Sequence, residues 1–170
     1  GDMSVQNVGE AARHTALIAP YRLDSGDTLR VIVFGQADLT NTYAVDQSGA
    51  ISMPLIGIVP VRGRTVAEVE GAVAAKLRAG YLRQPDVSVE VDRYRPFFAM
   101  GEVGAAGQYS YVTGMTVQSA VAIAGGFTPR ADKSSVKVTR NANGYVETLT
   151  LNLSDPVRPG DTLYVRERLF

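Results

Sequence analysis

Between Ile51 and Leu77 the spacing of apolar residues changes its period. The first part, ISMPLIGIVPV, is an apolar run interrupted by Pro54, Gly57 and Pro60, which predicts two short strands joined by a turn. Beyond Gly63, the residues Val66, Val69, Val73 and Leu77 recur at steps of three, four and four, the period of a helix with one buried face. Thr65 with Glu68 three positions on forms a capping box, in which the hydroxyl accepts an early helical N–H and the carboxylate reaches back to the cap. Gly80 suits the left-handed stop that ends many helices. The outer face carries Glu68, Glu70, Lys76 and Arg78, expected to be solvated or to pair with a neighbouring copy.

The same order of residues returns downstream. Gly107-Gln-Tyr109, then Gly114-Met-Thr116-Val117, echoes Gly57-Ile-Val59, then Gly63-Arg-Thr65-Val66, and Gly125-Gly126 closes the second helix. A second duplication frames the first: Gly26-Asp27-Thr28-Leu29-Arg30-Val31 against Gly160-Asp161-Thr162-Leu163-Tyr164-Val165. Two copies are too few for a solenoid, so the pattern predicts two related small domains.

The remaining elements follow from alternation and turn chemistry. Thr28–Phe34 reads as a strand after the Gly26-Asp27 turn. Tyr43–Val45 and Ala50–Met53 read as a hairpin about Asp46–Gly49. Val87, Val89 and Val91 alternate strictly, and Pro96 marks the junction between domains. Phe97–Val103 begins the second domain, and Tyr109 and Tyr111 alternate on its next strand. Val136–Arg140 and Tyr145–Leu151 pair across Asn143-Gly144, and Leu163 with Val165 supplies the last strand. The expected organisation is a leader over 1–20, a first domain over 21–94 and a second over 95–170. The fold class is α+β: each domain has a mixed sheet packed on one helix, the second of β-grasp type.

Charge and composition remove several classes of function. The 170 residues carry 17 basic and 17 acidic side chains, a balance that argues against nucleic acid as a partner. There is no cysteine, which excludes disulfides and thiolate chemistry. No apolar run approaches the ~20 residues of a membrane span. Gly1 to Ala19 lacks the apolar core of a signal peptide, so an exported protein would already have lost its leader.

Catalytic chemistry finds no footing. The only histidine, His14, lies in the leader, which leaves no metal cluster and no triad. Asp24, Asp27, Asp46 and Glu102 sit at turns, where local backbone bonding accounts for them. No phosphate-binding glycine pattern is present, so catalytic, cofactor and metal residues are all expected to be absent. Arg93, Tyr94, Arg95, Tyr109 and Tyr111 admit two readings. They could contact glycan or a neighbouring subunit, since rings stack on sugars and arginine grips carboxylates. Alternatively, one tyrosine face packs in the core while the arginines are solvated at the junction.

Taken together, the motifs resemble the bacterial outer-membrane polysaccharide export family. Tyr21-x-Leu23-x-x-Gly26-Asp27, Asp46-x-x-Gly49, Pro54-Leu55-Ile56-Gly57, Gly63-x-Thr65 and Gln84-Pro85-x-Val87 resemble its polysaccharide-export domain. Gly101-Glu102-Val103, Gly107-x-Tyr109, Thr116, Gly125-Gly126 and Gly160-Asp161 resemble the soluble-ligand-binding β-grasp domain that follows it. The proline usual before Gly107 is Ala106 here. The resemblance implies a non-enzymatic periplasmic component of exopolysaccharide or capsule export, associated with the outer membrane and without a cofactor. It implies a ring of copies around the polymer and an inner-membrane polysaccharide co-polymerase as partner. Long members add a further β-grasp domain and a pore-forming amphipathic helix. Neither lies between Tyr21 and Phe170, so a separate outer-membrane barrel is a further expected partner. The rival expectation is a monomeric periplasmic glycan-binding module.

Overall fold

The computed structural model describes residues 20–142 and 144–169. Apart from Pro20, the expected leader with His14 lies outside the described residues. The chain folds as α+β, with strands packed on two helices, and its buried apolar side chains form two clusters that share no residue.

In the first unit β1 (Thr28–Val33) is the central strand, flanked by β2 (Asn41–Ala44) and, on its other side, by β5 (Val87–Arg93). Alternation places Leu29, Val31 and Val33 on the inner face, all buried. β3 (Ala50–Met53) and β4 (Gly57–Pro60) form a separate two-stranded ribbon. Helix α1 (Val66–Arg78) lays Val69, Val73 and Leu77 on this core, each at 0% exposure. Complete burial of such side chains stabilises by roughly 1.5–3 kcal/mol apiece. Thr65 caps the helix, accepting the Glu68 N–H at 3.2 Å. The reciprocal half of the capping box is different: the Glu68 carboxylate faces the Thr65 hydroxyl and Arg22, each at 3.4 Å. Nor is the whole outer face solvated, because Glu70 accepts the Val89 N–H at 2.9 Å and ties the helix to β5.

Two expectations for this unit are corrected. All its strand pairs are antiparallel, so its sheets are not mixed. The turn at Asp46–Gly49 forms, but the strands beside it do not make one ladder. β2 pairs with β1 and β3 pairs with β4. The cause is the Gly26-Asp27 turn, which holds Val45 at both backbone groups (Gly26 N–H to Val45 O, 3.1 Å; Val45 N–H to Asp27 O, 2.9 Å) and fixes this stretch beside β1.

The second unit is one five-stranded mixed sheet in the order β7-β6-β10-β8-β9. Its strands are β6 (Phe97–Gly101), β7 (Gly107–Tyr109), β8 (Val136–Ala142), β9 (Tyr145–Leu151) and β10 (Thr162–Val165). β10 runs parallel to β6 and the other pairs are antiparallel. Helix α2 (Val117–Ile123) buries Val117, Ala120 and Val121. Thr116 caps it through the Ser119 N–H at 3.3 Å, as Thr65 caps α1. Tyr111 falls beyond the end of β7, so the tyrosine alternation expected on a single strand is only partly realised.

Candidate functional site

The duplicated Gly-Asp turns fold alike. Each glycine is left-handed (φ 97° at Gly26, 82° at Gly160), a region that favours a residue without Cβ. Each aspartate is fully buried, and each accepts the N–H three residues back: Asp24 N at 3.0 Å for Asp27, Arg158 N at 2.8 Å for Asp161. An arginine completes each. Arg95 gives Asp27 its backbone N–H at 2.8 Å and its guanidinium at 3.2 Å. Arg140 grips Asp161 with two parallel bonds, Nε at 3.0 Å and Nη2 at 2.9 Å. Buried carboxylates need such partners, because an unpaired buried charge is costly.

These turns meet between the units. A Cβ on Gly26 would stand 3.2 Å from the Arg95 Cβ, and one on Gly160 would stand 2.4 Å from its Nε, so Arg95 threads between both glycines. The Gly160 N–H adds a bond to Pro96 O at 3.0 Å. Beside them Tyr21, Tyr94 and Tyr111 form an edge-on aromatic series from one unit to the other, with centroids 5.1 and 5.2 Å apart. Tyr21 donates to Asp27 and accepts from Arg95. Burial pushes its phenol well above the ordinary range, Arg95 opposing and Asp27 adding to the shift.

Next to this junction opens a cleft of about 190 Å³, walled by both units and lined by Arg22, Arg62, Arg95, Arg140 and Arg158. Arg62 spans its mouth, bonding Asp24 at 2.9 Å, Ser25 at 2.7 Å and the Gln47 carbonyl at 2.9 Å. That places the Asp46–Gly49 turn at the cleft, since a Cβ on Gly49 would collide with the Arg62 Cβ at 2.6 Å. Asp46 itself folds the turn. Its carboxylate takes the Ser48 hydroxyl and the Ser48 and Ala50 N–H groups, which hold it below the ordinary carboxylate value.

The other motif residues lie elsewhere. Pro54 and Gly57 shape the β3–β4 turn, and Thr65 caps α1. Gly101, Glu102, Val103, Gly125 and Gly126 form a hub inside the second unit. A Cβ on Gly101 would lie 2.2 Å from Val165 O, the Glu102 carboxylate accepts the Thr128 hydroxyl at 2.5 Å, and Val103 bridges to Phe127. Gly107 opens β7. Among the candidate contact residues, Arg93 is exposed and Tyr109 stacks on Phe97 while bonding Ala105 O. Tyr111 packs against Tyr94. Arg95 is not a solvated junction residue, its side chain being only 14% exposed and paired. Arg22, Arg62, Arg140 and Arg158 escaped the sequence reading. Only Arg140 carried a signal, as the third inward position after Val136 and Val138.

Among the described residues no group of three or more His, Cys, Asp or Glu could hold a metal ion, and no helix is long and apolar enough to cross a membrane. The duplicated turns and the two helix caps give two linked units built on a similar plan. The family comparison agrees: residues 16–92 match the model of polysaccharide biosynthesis/export proteins and residues 100–149 match the SLBB domain. The chain belongs to the polysaccharide export family that joins these two domains. It is similar to the exopolysaccharide production protein ExoF of Rhizobium meliloti, 36% identical over 66% of this chain and 29% of the relative. It is also similar to the EPS I polysaccharide export outer membrane protein EpsA of Ralstonia solanacearum, 28% identical over 87% of this chain and 46% of the relative. The polysialic acid transport protein KpsD of Escherichia coli is 28% identical over 87% of this chain and 28% of the relative. The chain thus spans less than half the length of each of these relatives.

Proposed function

We propose that this chain is a non-catalytic, periplasmic component of exopolysaccharide or capsule export, attached at the outer membrane. In this reading residues 21–94 and 95–170 are two domains of one building block, and copies of it form or cap a ring around the polymer. The observation that carries the reading is the pair of matched domains along one chain, together with its similarity to relatives named for polysaccharide production, export and transport. The clamped junction supports it mechanically: Asp27, Arg95 and Gly160 tie the units together, as a wall under load requires. An inner-membrane polysaccharide co-polymerase and a separate outer-membrane barrel complete the proposed path. A conduit works by many weak contacts, because one tight site would stall the advancing polymer.

Deleting the gene in its natural host is the test. Polymer retained in the cell and restored to the medium by complementation is the expected result, and normal secretion without the protein overturns the proposal. Mass measurement in solution separates the ring from a monomeric glycan-binding module. Oligomers that grow with concentration are expected, whereas a strict monomer with oligosaccharide affinity favours the module.

A further inference from the structure

Two strands of seven residues stand at the edges of sheets, β5 in the first unit and β9 in the second. An open edge of that length is a template for another chain, and proteins close such edges with prolines, lysines, bulges or a covering element. β5 is closed, because Glu70 on α1 takes the Val89 N–H at 2.9 Å. β9 has no proline, no lysine and no break in its register with β8, and five of its seven residues are exposed.

The ladders fix which backbone groups of β9 are left over. The Phe98 N–H bonds Asp161 O and the Glu102 N–H bonds Val165 O, so Leu163 and Val165 turn their groups to β6 while Thr162 and Tyr164 turn theirs to β8. Thr139 and Lys137 answer them, so Val138 and Arg140 face β9 and meet Leu149 and Glu147. Val146, Thr148 and Thr150 therefore direct N–H and C=O away from the sheet, and no backbone bond among the described residues takes them up. The other edge of the same sheet is built alike. Phe98 faces β10, so Phe97 and Ala99 bond Tyr109 and Gly107, and Gln108 of β7 points its groups outward, with Ala106 and Ser110 exposed on either side.

β9 runs with β10 and β6, and β7 runs against them. A neighbour related by rotation about a ring axis thus brings its β7 antiparallel to β9. One repeated contact then fills both edges and can close into a ring. A two-fold β9–β9 pair would stop at two copies and leave β7 open. Gln108, Phe98, Thr162, Thr139 and Thr148 already stand in one row across the sheet, and Thr148 is the middle of the three outward residues of β9. With Thr148 opposite Gln108, Glu147 meets the uncharged Tyr109, so no like charges oppose the contact.

We propose that β9 of one copy pairs antiparallel with β7 of the next, Thr148 opposite Gln108. The proposal rests on the ring reading and gives the ring its contact. A strand as short as β7 covers little of the ~800 Å² per partner that a stable complex buries, so each pair is weak and the closed ring holds it.

The chain has no cysteine, so introduced cysteines report the contact alone. A hydrogen-bonded antiparallel pair sets its Cα atoms about 5.5 Å apart, inside the ~4.4–6.8 Å that a disulfide spans. Protein carrying both Gln108→Cys and Thr148→Cys, in intact cells of the natural host treated with a mild oxidant, should give a ladder of multimers on a non-reducing gel. Reductant should collapse it to one band. Thr148→Cys alone should stay monomeric. A dimer of that single variant, which would mean β9 pairing with itself, or a double variant without multimers overturns the proposal. Thr148→Pro removes one outward N–H and leaves the β8 ladder intact, a place where an edge strand tolerates proline. It should raise the concentration at which oligomers form by about tenfold, the scale of one lost hydrogen bond, with the melting temperature near that of the parent. Thr148→Lys gives the same reading should the proline variant fail to fold, and unchanged assembly in it overturns the contact. Oligomers seen by mass without the disulfide ladder leave the ring standing and overturn this contact alone, and the deletion strain reads the export proposal separately.

Discussion

Replacing Asp161 by alanine tests whether the buried turn is an electrostatic unit. The Asp161 carboxylate accepts three bonds, from Arg140 Nε (3.0 Å), Arg140 Nη2 (2.9 Å) and Arg158 N (2.8 Å). Asp161→Ala strands Arg140, whose side chain is 6% exposed, as a buried cation without its acid. Breaking such a pair from one side costs roughly 3–5 kcal/mol. At about 2–4 °C per kcal/mol for a chain of this size, the melting temperature should fall by roughly 6–20 °C. Adding Arg140→Met removes the stranded charge and keeps a straight apolar stem, so the double variant should recover part of the loss. Urea unfolding gives the energies, and amide exchange in β8 and β10 reports the second unit by itself. The reasoning is refuted if Asp161→Ala lies within about 1 kcal/mol of the parent, or if the double variant is no more stable than the single one.

Three further outcomes are expected. Thr65→Ala and Thr116→Ala should each cost about 0.5–2 kcal/mol in thermal or urea unfolding, since both hydroxyls cap a helix; no change in either would remove the cap from the account. Gly101→Ala should destabilise far more than Gly57→Ala. Both glycines are left-handed, but the added Cβ meets Val165 O at 2.2 Å in one case and nothing within 4 Å in the other, leaving only the ~1–2 kcal/mol backbone term; equal melting temperatures would contradict this. Asp46, held low first by the Ser48 hydroxyl, should titrate below 3.8 in carboxyl NMR, and Ser48→Ala should raise it. Because the folded value is the lower one, its contribution to stability is complete above the unfolded pKa and is lost as pH falls through the folded pKa.

Where function of position along the chain is periodic, the sequence was readable. Val66, Val69, Val73 and Leu77 place α1, and Val136 and Val138 place β8, because burial on one face imposes a period on residue type. Turn and cap residues were readable for a related reason: Thr65, Thr116, Gly26 and Gly160 satisfy or shape nearby backbone, so their cause lies within a few residues. Strand partners were less so. β2 is short and mostly exposed, and nothing in Asn41–Ala44 says that it joins β1 in preference to β3. The cleft was hidden almost entirely. Asp27 and Asp161 were understood as turn residues from their local N–H bonds, while the arginines that neutralise them come from 68 and 21 positions away. A contact of that separation leaves no mark on local spacing.

The two copies of the turn have also diverged in what they hold. Asp161 takes Arg140 from β8 of its own sheet, so the second pair closes within one unit. Asp27 takes Arg95 from the segment between β5 and β6, so the first pair fastens the end of one unit to the start of the next. Arg95 reaches Asp27 by a path along Gly160, where any side chain would stand 2.4 Å from its Nε. Glycine in the second copy therefore serves the arginine of the first as well as its own turn. Of two like carboxylates, Asp161 with Arg140 is therefore a brace inside one unit, and Asp27 with Arg95 is the joint between the two.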